Sequence, residues 1–257
     1  MNNIKIILVV VIAILLLMFQ VTNVFSEEPR KIPDNLDLSG GEIYFSSSNF
    51  QSNIRSSDKL STLVQKYSTI GKDAVSYGFT AKSDEAKFFI IGALYSEALA
   101  YLNSGQVDMA AKRLGSIEKE FIILGVPNSL YNYISKTRNI LEINKYSLDA
   151  LEDFLSLFQP IYEDYAKNKG EDKLTLFRAG SWLVDMSLTA AADNRGLIKQ
   201  EQEQLSYFIK EMKRMDAPKG VMNALKEIDN VAKKETISDK DVENILKQVK
   251  KIQTILG

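Results

Sequence analysis

Two carboxylates stand out by where they fall. From Phe88 to Leu102 the only charged residue is Glu97, and from Leu174 to Ala192 the only ones are Arg178 and Asp185. An acid on an otherwise apolar helix is costly unless it is paired or hydrogen-bonded. Two such acids can form a satisfied internal network, or they can hold a cation or exchange a proton in a cleft. Arg178 precedes Asp185 by seven residues, two helical turns on the same face, and could neutralise either acid. Each acid also follows a glycine by five positions, Gly92 and Gly180. Glycine inside a helix costs ~1 kcal/mol relative to alanine. Close approach of two backbones would offset that cost, so the two segments are predicted to cross at Gly92 and Gly180 about an approximate twofold axis. Tyr95, Tyr101, Tyr131, Tyr133 and Trp182 are the aromatics that could line a ligand groove, or else fill the core.

Much other chemistry is excluded by composition. The chain of 257 residues contains no Cys and no His. Disulfides, thiolate nucleophiles, Ser-His-Asp catalysis and the usual zinc and copper sites are therefore impossible. Ser56 to Lys59 and Ser116 to Lys119 each make a Ser-x-x-Lys tetrad, but the accompanying Ser-Asp-Asn and Lys-Thr-Gly motifs are missing. No glycine-rich phosphate loop occurs. Asp34, Asn35, Asp37, Ser39 and Glu42 are rich in oxygen ligands but lack the spacing of a calcium loop. A net charge of −1 argues against nucleic acid as the main partner. No cofactor and no metal are expected.

The segments that must position these residues are helical. Positively charged Lys5 precedes an unbroken apolar run from Ile6 to Phe19, and Val24-Phe25-Ser26 ends in a small residue. Residues 1–26 are thus expected to be a signal peptide that exports the chain to the periplasm or the exterior. An uncleaved anchor through residues 4–21 is the rival reading, and the only membrane contact expected. Residues 27–52, with Pro29, Pro33, Gly40 and Gly41, are expected to be a linker. From residue 53 to 257 the chain is expected to be an all-α array of about nine helices. They are placed at about 57–77, 84–102, 107–124, 127–143, 147–167, 172–192, 198–215, 218–233 and 239–255. Pro160 should kink or split the one at 147–167.

Slid against itself by 91 residues, the chain gives 11 identities over positions 103–155, among them Asn103 with Asn194, Gly105 with Gly196, Pro127 with Pro218 and Ser147 with Ser238. Composition alone predicts on the order of three to four. Upstream the better offset is 88, which pairs Phe89 with Phe177, Gly92 with Gly180 and Glu97 with Asp185. The expectation is two tandem four-helix repeats, about 84–167 and 172–255, behind one N-terminal helix. A three-residue difference just before the turn would reconcile the two offsets. Tyr101-Leu102-Asn103-Ser104-Gly105, with Ala110 and Leu114, resembles the middle of a tetratricopeptide hairpin over about 25 residues. That family repeats every ~34 residues with two helices. Here the spacing is near 91 with four helices, and Ala192 and Glu201 stand where Tyr101 and Ala110 would recur.

Three functions fit. The first is a non-catalytic binding or scaffold protein of the cell envelope, acting on a protein partner through a helical surface or groove. The second is a carboxylate-only enzyme acting on glycan with Glu97 and Asp185, which needs the acids ~5–10 Å apart across an open cleft. The third is a helical pocket for an apolar ligand lined by the aromatics.

Overall fold

The structure, a computed structural model, describes residue 63, residues 83–143 and residues 146–256. The expected signal peptide, linker and first helix lie outside the described residues, save for Leu63, which is helical. The fold is all-α, with ten helices and no strand among the described residues from 83 onward. They are α1 (Asp84–Asn103), α2 (Val107–Leu124), α3 (Asn128–Ile143), α4 (Leu148–Ser156), α5 (Phe158–Lys169), α6 (Glu171–Ala191), α7 (Arg195–Gln200), α8 (Gln202–Arg214), α9 (Lys219–Ala232) and α10 (Asp239–Leu256). No helix among the described residues is long and apolar enough to cross a membrane.

Two expected helices are each divided. The helix expected at 147–167 becomes α4 and α5, and the break falls at Leu157, one turn ahead of Pro160. Proline is tolerated in a first helical turn, where its missing N–H has no intrahelical acceptor. The chain therefore restarts just before the proline. The helix expected at 198–215 starts earlier and is interrupted at Glu201, giving α7 and α8. Capping follows local chemistry elsewhere. Ser83 Oγ accepts from Ala86 N at 3.2 Å, and Ser147 Oγ accepts from Ala150 N at 3.3 Å. At α10 the box is reciprocal: Ser238 Oγ accepts from Asp241 N, and Asp241 Oδ2 accepts from Ser238 N at 2.9 Å.

The middle of the fold is the contact between α1 and α6, both buried along nearly their whole length. Lys173 Nζ lies 3.1 Å from Glu85 Oε1 near their N-terminal ends, and Ser96 Oγ donates to Asp185 Oδ1 at 2.6 Å further along. The two helices therefore run in the same direction. Between those points they touch at glycine. A Cβ on Gly92 would lie 1.9 Å from the carbonyl oxygen of Phe177, and one on Gly180 would lie 1.9 Å from that of Phe89. Phe89 and Phe177 each precede their own glycine by three residues, so the contact is reciprocal about a local twofold.

Backbone features recur beyond that contact. In the α1–α2 turn, Ser104 N, Gly105 N and Gln106 N donate to Ala100, Leu102 and Tyr101 O. In the α6–α7 turn, Ala192 N, Asp193 N and Asn194 N donate to Leu188, Ala190 and Thr189 O, each 88 residues on. Gly105 and Asp193 hold the left-handed positions, with φ of 77° and 56°. After α2 and α8 the offset is 91: Gly125 and Asp216 are left-handed at φ 60° and 53°, and Val126 N to Phe121 O matches Ala217 N to Met212 O. The matching backbone features thus lie 88 residues apart at this turn and 91 apart after α2 and α8. The buried positions locate the change. Ala110 and Arg113 of α2 match Ile198 and Glu201, whereas Leu114, Ile117 and Phe121 match Leu205, Phe208 and Met212. Residues 202–204, directly after the helix break at Glu201, fall between the two sets of matches.

Candidate functional site

The conformation of α1 and α6 projects their acids inward, and each is answered differently. Glu97 is 2% exposed, and its Oε2 lies 2.5 Å from Arg113 Nε of α2, itself buried. The Arg113 guanidinium also sits 5.4 Å from the centre of the Tyr101 ring, which desolvated cations favour. Asp185 is 4% exposed and accepts from Ser96 Oγ. Three residues before it on the same face, Trp182 Nε1 donates to Glu201 Oε2 at 2.8 Å. Glu201 is the single residue between α7 and α8 and is 4% exposed. Burial pushes its carboxyl up to about 7; the Trp182 hydrogen bond works against that, and the negative charge of Asp185 adds to it.

These placements revise several expectations. Arg178 forms an ion pair with Glu163. Its Nε and Nη2 donate to Glu163 Oε2 at 3.0 and 2.6 Å, because α5 packs along α6 and brings Glu163 within reach. Neither Glu97 nor Asp185 opens into a cleft, so the geometry that a carboxylate glycosidase needs is missing at these two residues. Tyr95, Tyr101 and Trp182 are buried core side chains and not groove walls. Tyr95 packs 5.3 Å from Phe158 and 6.3 Å from Phe177, and Trp182 packs 5.1 Å from Phe208, measured between ring centres. Burial raises the Tyr95 hydroxyl well above its usual range, with Asp185 adding to the shift. Tyr131 and Tyr133 lie half-buried on α3, and the Tyr133 hydroxyl donates to the Phe154 carbonyl.

Ser96, Arg113 and Glu201 were not singled out from sequence. Arg113 and Glu201 had one signal: each is a charged residue on a stripe that is otherwise apolar, 16 residues after Glu97 and Asp185 respectively. A cavity of about 490 Å³ lies elsewhere, at the ends of α1, α6 and α10 and the α8–α9 turn, lined by Glu85, Leu176, Met212, Pro218 and Ile255 among others. None of the candidate residues lines it. Among the described residues no group of three or more acids is placed to hold a metal ion. Compared with protein-family models, curated proteins and solved structures, the chain matches none.

Proposed function

We propose that the chain is an exported, non-catalytic helical binding protein of the cell envelope, built from two tandem four-helix units, 84–167 and 172–255, that arose by duplication. Its first unit holds the docking surface. The observation that carries this is an asymmetry of exposed apolar side chains. Of nine large apolar residues exposed among the described ones, eight lie in the first unit: Ile122, Ile123, Ile143, Tyr146, Leu148, Phe154, Leu157 and Ile161. At an offset of 91, Ile122, Ile123, Ile143, Leu148 and Leu157 are replaced by Lys213, Arg214, Lys234, Asp239 and Gln248. Phe154 and Ile161 correspond to Ile245 and Ile252, which are 0% and 3% exposed because α10 lays them against its helical neighbours α9 and α6.

That comparison selects the occupant. The row closed by a helix in the second unit is open at Phe154, Leu157 and Ile161 in the first. The partner is therefore a protein that presents an amphipathic helix, the mode in which an apolar helical stripe fills a groove between helices. Patches of this kind mark interaction sites when they are contiguous. Export through residues 1–26 places that partner outside the cytoplasm.

A photo-crosslinking residue at Leu157, and another at Gln248, test the reading in the intact exported chain. The expected result is a cross-link from position 157 to an amphipathic helical segment of another protein. It should be lost in Phe154→Asp with Ile161→Asp and absent from position 248. A cross-link to a second copy of the chain, equal yields from the two positions, or none from either would overturn it. Sequencing the amino terminus of the exported protein tests residues 1–26: a start at or near Glu27 is expected, and a start at residue 1 or 2 would favour the anchor.

A further inference from the structure

Four aromatic rings fill one end of the first half. They are Phe88 of α1, Phe121 of α2, and Tyr162 and Tyr165 of α5. Phe121 stacks on Tyr162 at 5.4 Å, and Phe88 on Tyr165 at 6.2 Å, between ring centres. The spacings that relate the turns, 88 residues for α1 and 91 for the end of α2 and for α5, carry these four positions to Leu176, Met212, Gln253 and Leu256. None of the four replacements has a ring. The cavity of about 490 Å³ lies there instead, and Leu176, Met212 and Leu256 line it. Buried Leu176 and Met212 form its floor. Glu85, Asp216, Thr254 and Ile255 also line it and are exposed, so it opens to solvent between them. Among the described residues, Ile255 is the one large apolar side chain exposed outside the first unit.

We propose that this cavity is a binding site for a small molecule that carries an aromatic ring and a positive charge. Its volume falls within the ~300–1,000 Å³ of small-molecule pockets. The ring follows from the first half, where the matching positions are packed with stacked rings. Met212 and Met215 add two polarizable thioethers to the lining, and sulfur at a ring edge is a favourable contact.

The charge follows from the mouth. Glu85 and Asp172 share one cation, Lys173 Nζ, at 3.1 and 2.6 Å. Arg214, the one base among the lining residues, is held by Glu211 at 2.7 Å. Asp216 adds a third carboxylate to the lining, at the α8–α9 turn. Acids thus outnumber bases at the opening, and a cation held there gains from the excess.

Three probes that share a ring and differ in charge test the site: tryptamine, 3-methylindole and indole-3-propionate. Each is titrated into the intact exported chain labelled with carbon-13 at the methionine methyls. Tryptamine should shift the Met212 and Met215 methyl resonances and saturate. The neutral probe should bind roughly two- to fivefold more weakly, the worth of an exposed ion pair, and the anion more weakly still. Asp216→Asn keeps a side chain that tolerates the left-handed turn, and should narrow the gap between tryptamine and 3-methylindole. Leu176→Phe with Met212→Phe rebuilds two of the rings of the first half, and should abolish the Met215 response while holding or raising Tm.

No shift at Met212 and Met215 in the wild type overturns the proposal, however the variants fold. Equal binding of the three probes, or tightest binding of the anion, does so too, as does binding that survives the ring-filling variant. Contacts from the two methionine methyls to residues 57–77 in the probe-free chain would mean that the chain fills its own cavity, and would overturn the proposal as well.

Discussion

The two halves of this fold share their turns and differ in what they bury and expose. The hydrogen bonds around Gly105 and Asp193 are the same three in each half, and so are the left-handed positions at Gly125 and Asp216. Inside, one half closes an ion pair between Glu97 and Arg113, while in the other Glu201 accepts from Trp182 and Asp185 accepts from Ser96. Outside, one half exposes Phe154, Leu157 and Ile161 where the other has two buried isoleucines and a glutamine. Backbone punctuation holds a hairpin together and tolerates little change. Side chains at matching places differ in charge and exposure although the turns around them are alike.

The frame itself is the place to break first. Gly92→Ala or Gly180→Ala puts a methyl 1.9 Å from a backbone carbonyl oxygen, where no side-chain motion relieves the clash. Each should cost more than about 3 kcal/mol, above the usual range for overpacking. In a domain of this size that is a fall of roughly 10 °C in Tm. The near-identical surroundings predict equal losses at the two sites by thermal denaturation. A loss at one alone would mean that the halves do not share the frame equally.

Arg113→Met comes next. It leaves Glu97 buried without its cation, and breaking such a pair from one side costs about 3–5 kcal/mol. Adding Glu97→Met should recover most of the loss, because two apolar side chains of similar volume replace a desolvated pair. Denaturant unfolding of the single and double variants separates the cost of the lone acid from the worth of the pair.

The second half should respond to pH in the opposite sense from most carboxylates. Glu201 has its folded pKa raised to about 7 from an ordinary 4.5, so the folded state holds the extra proton between those values. Its contribution is full below about pH 4.5 and is lost as pH rises to about 7. The span corresponds to on the order of 3 kcal/mol. Glu201→Gln should remove that slope and be the more stable protein at pH 8, as read from urea unfolding at several pH values. Unchanged slope in the variant would assign the pH dependence to another group.

How much of this was legible beforehand depended on whether the cause lay along the chain or across it. Gly92 and Gly180 were legible because glycine in an apolar helix has few other reasons to be there. Glu97 and Asp185 were legible because acids in apolar helices are rare. Their partners were not, since Arg113, Ser96 and Glu201 become neighbours only when helices pack. The pairing of Arg178 with Glu163 was not legible either, because Glu163 comes from α5. The turn register misled for a related reason. Identical residues, Gly105 and Gly196, suggested an offset of 91, yet the left-handed position is filled by Asp193, a residue type whose short polar side chain tolerates that conformation. Backbone geometry, and not residue identity, marks the turn.

The smallest expected effects lie in the aromatic core, and they bear on the same distinction between frame and filling. The hydroxyls of Tyr95 and Tyr162 are buried and have no hydrogen-bond partner among the described residues. Burial raises both well above the usual tyrosine range. The rings carry the packing: Tyr162 lies 4.8 Å from Phe177 and 5.4 Å from Phe121, centre to centre. An unsatisfied buried hydroxyl costs about 1–3 kcal/mol, and removing it leaves the ring contacts in place. Tyr162→Phe should therefore be neutral or stabilise by up to about 1 kcal/mol. Tyr95→Phe should behave alike, because its ring keeps the contacts with Phe158 and Phe177. A clear destabilisation by Tyr162→Phe would mean that its hydroxyl is satisfied by an ordered water, a structural role that would then belong to one half of the molecule alone.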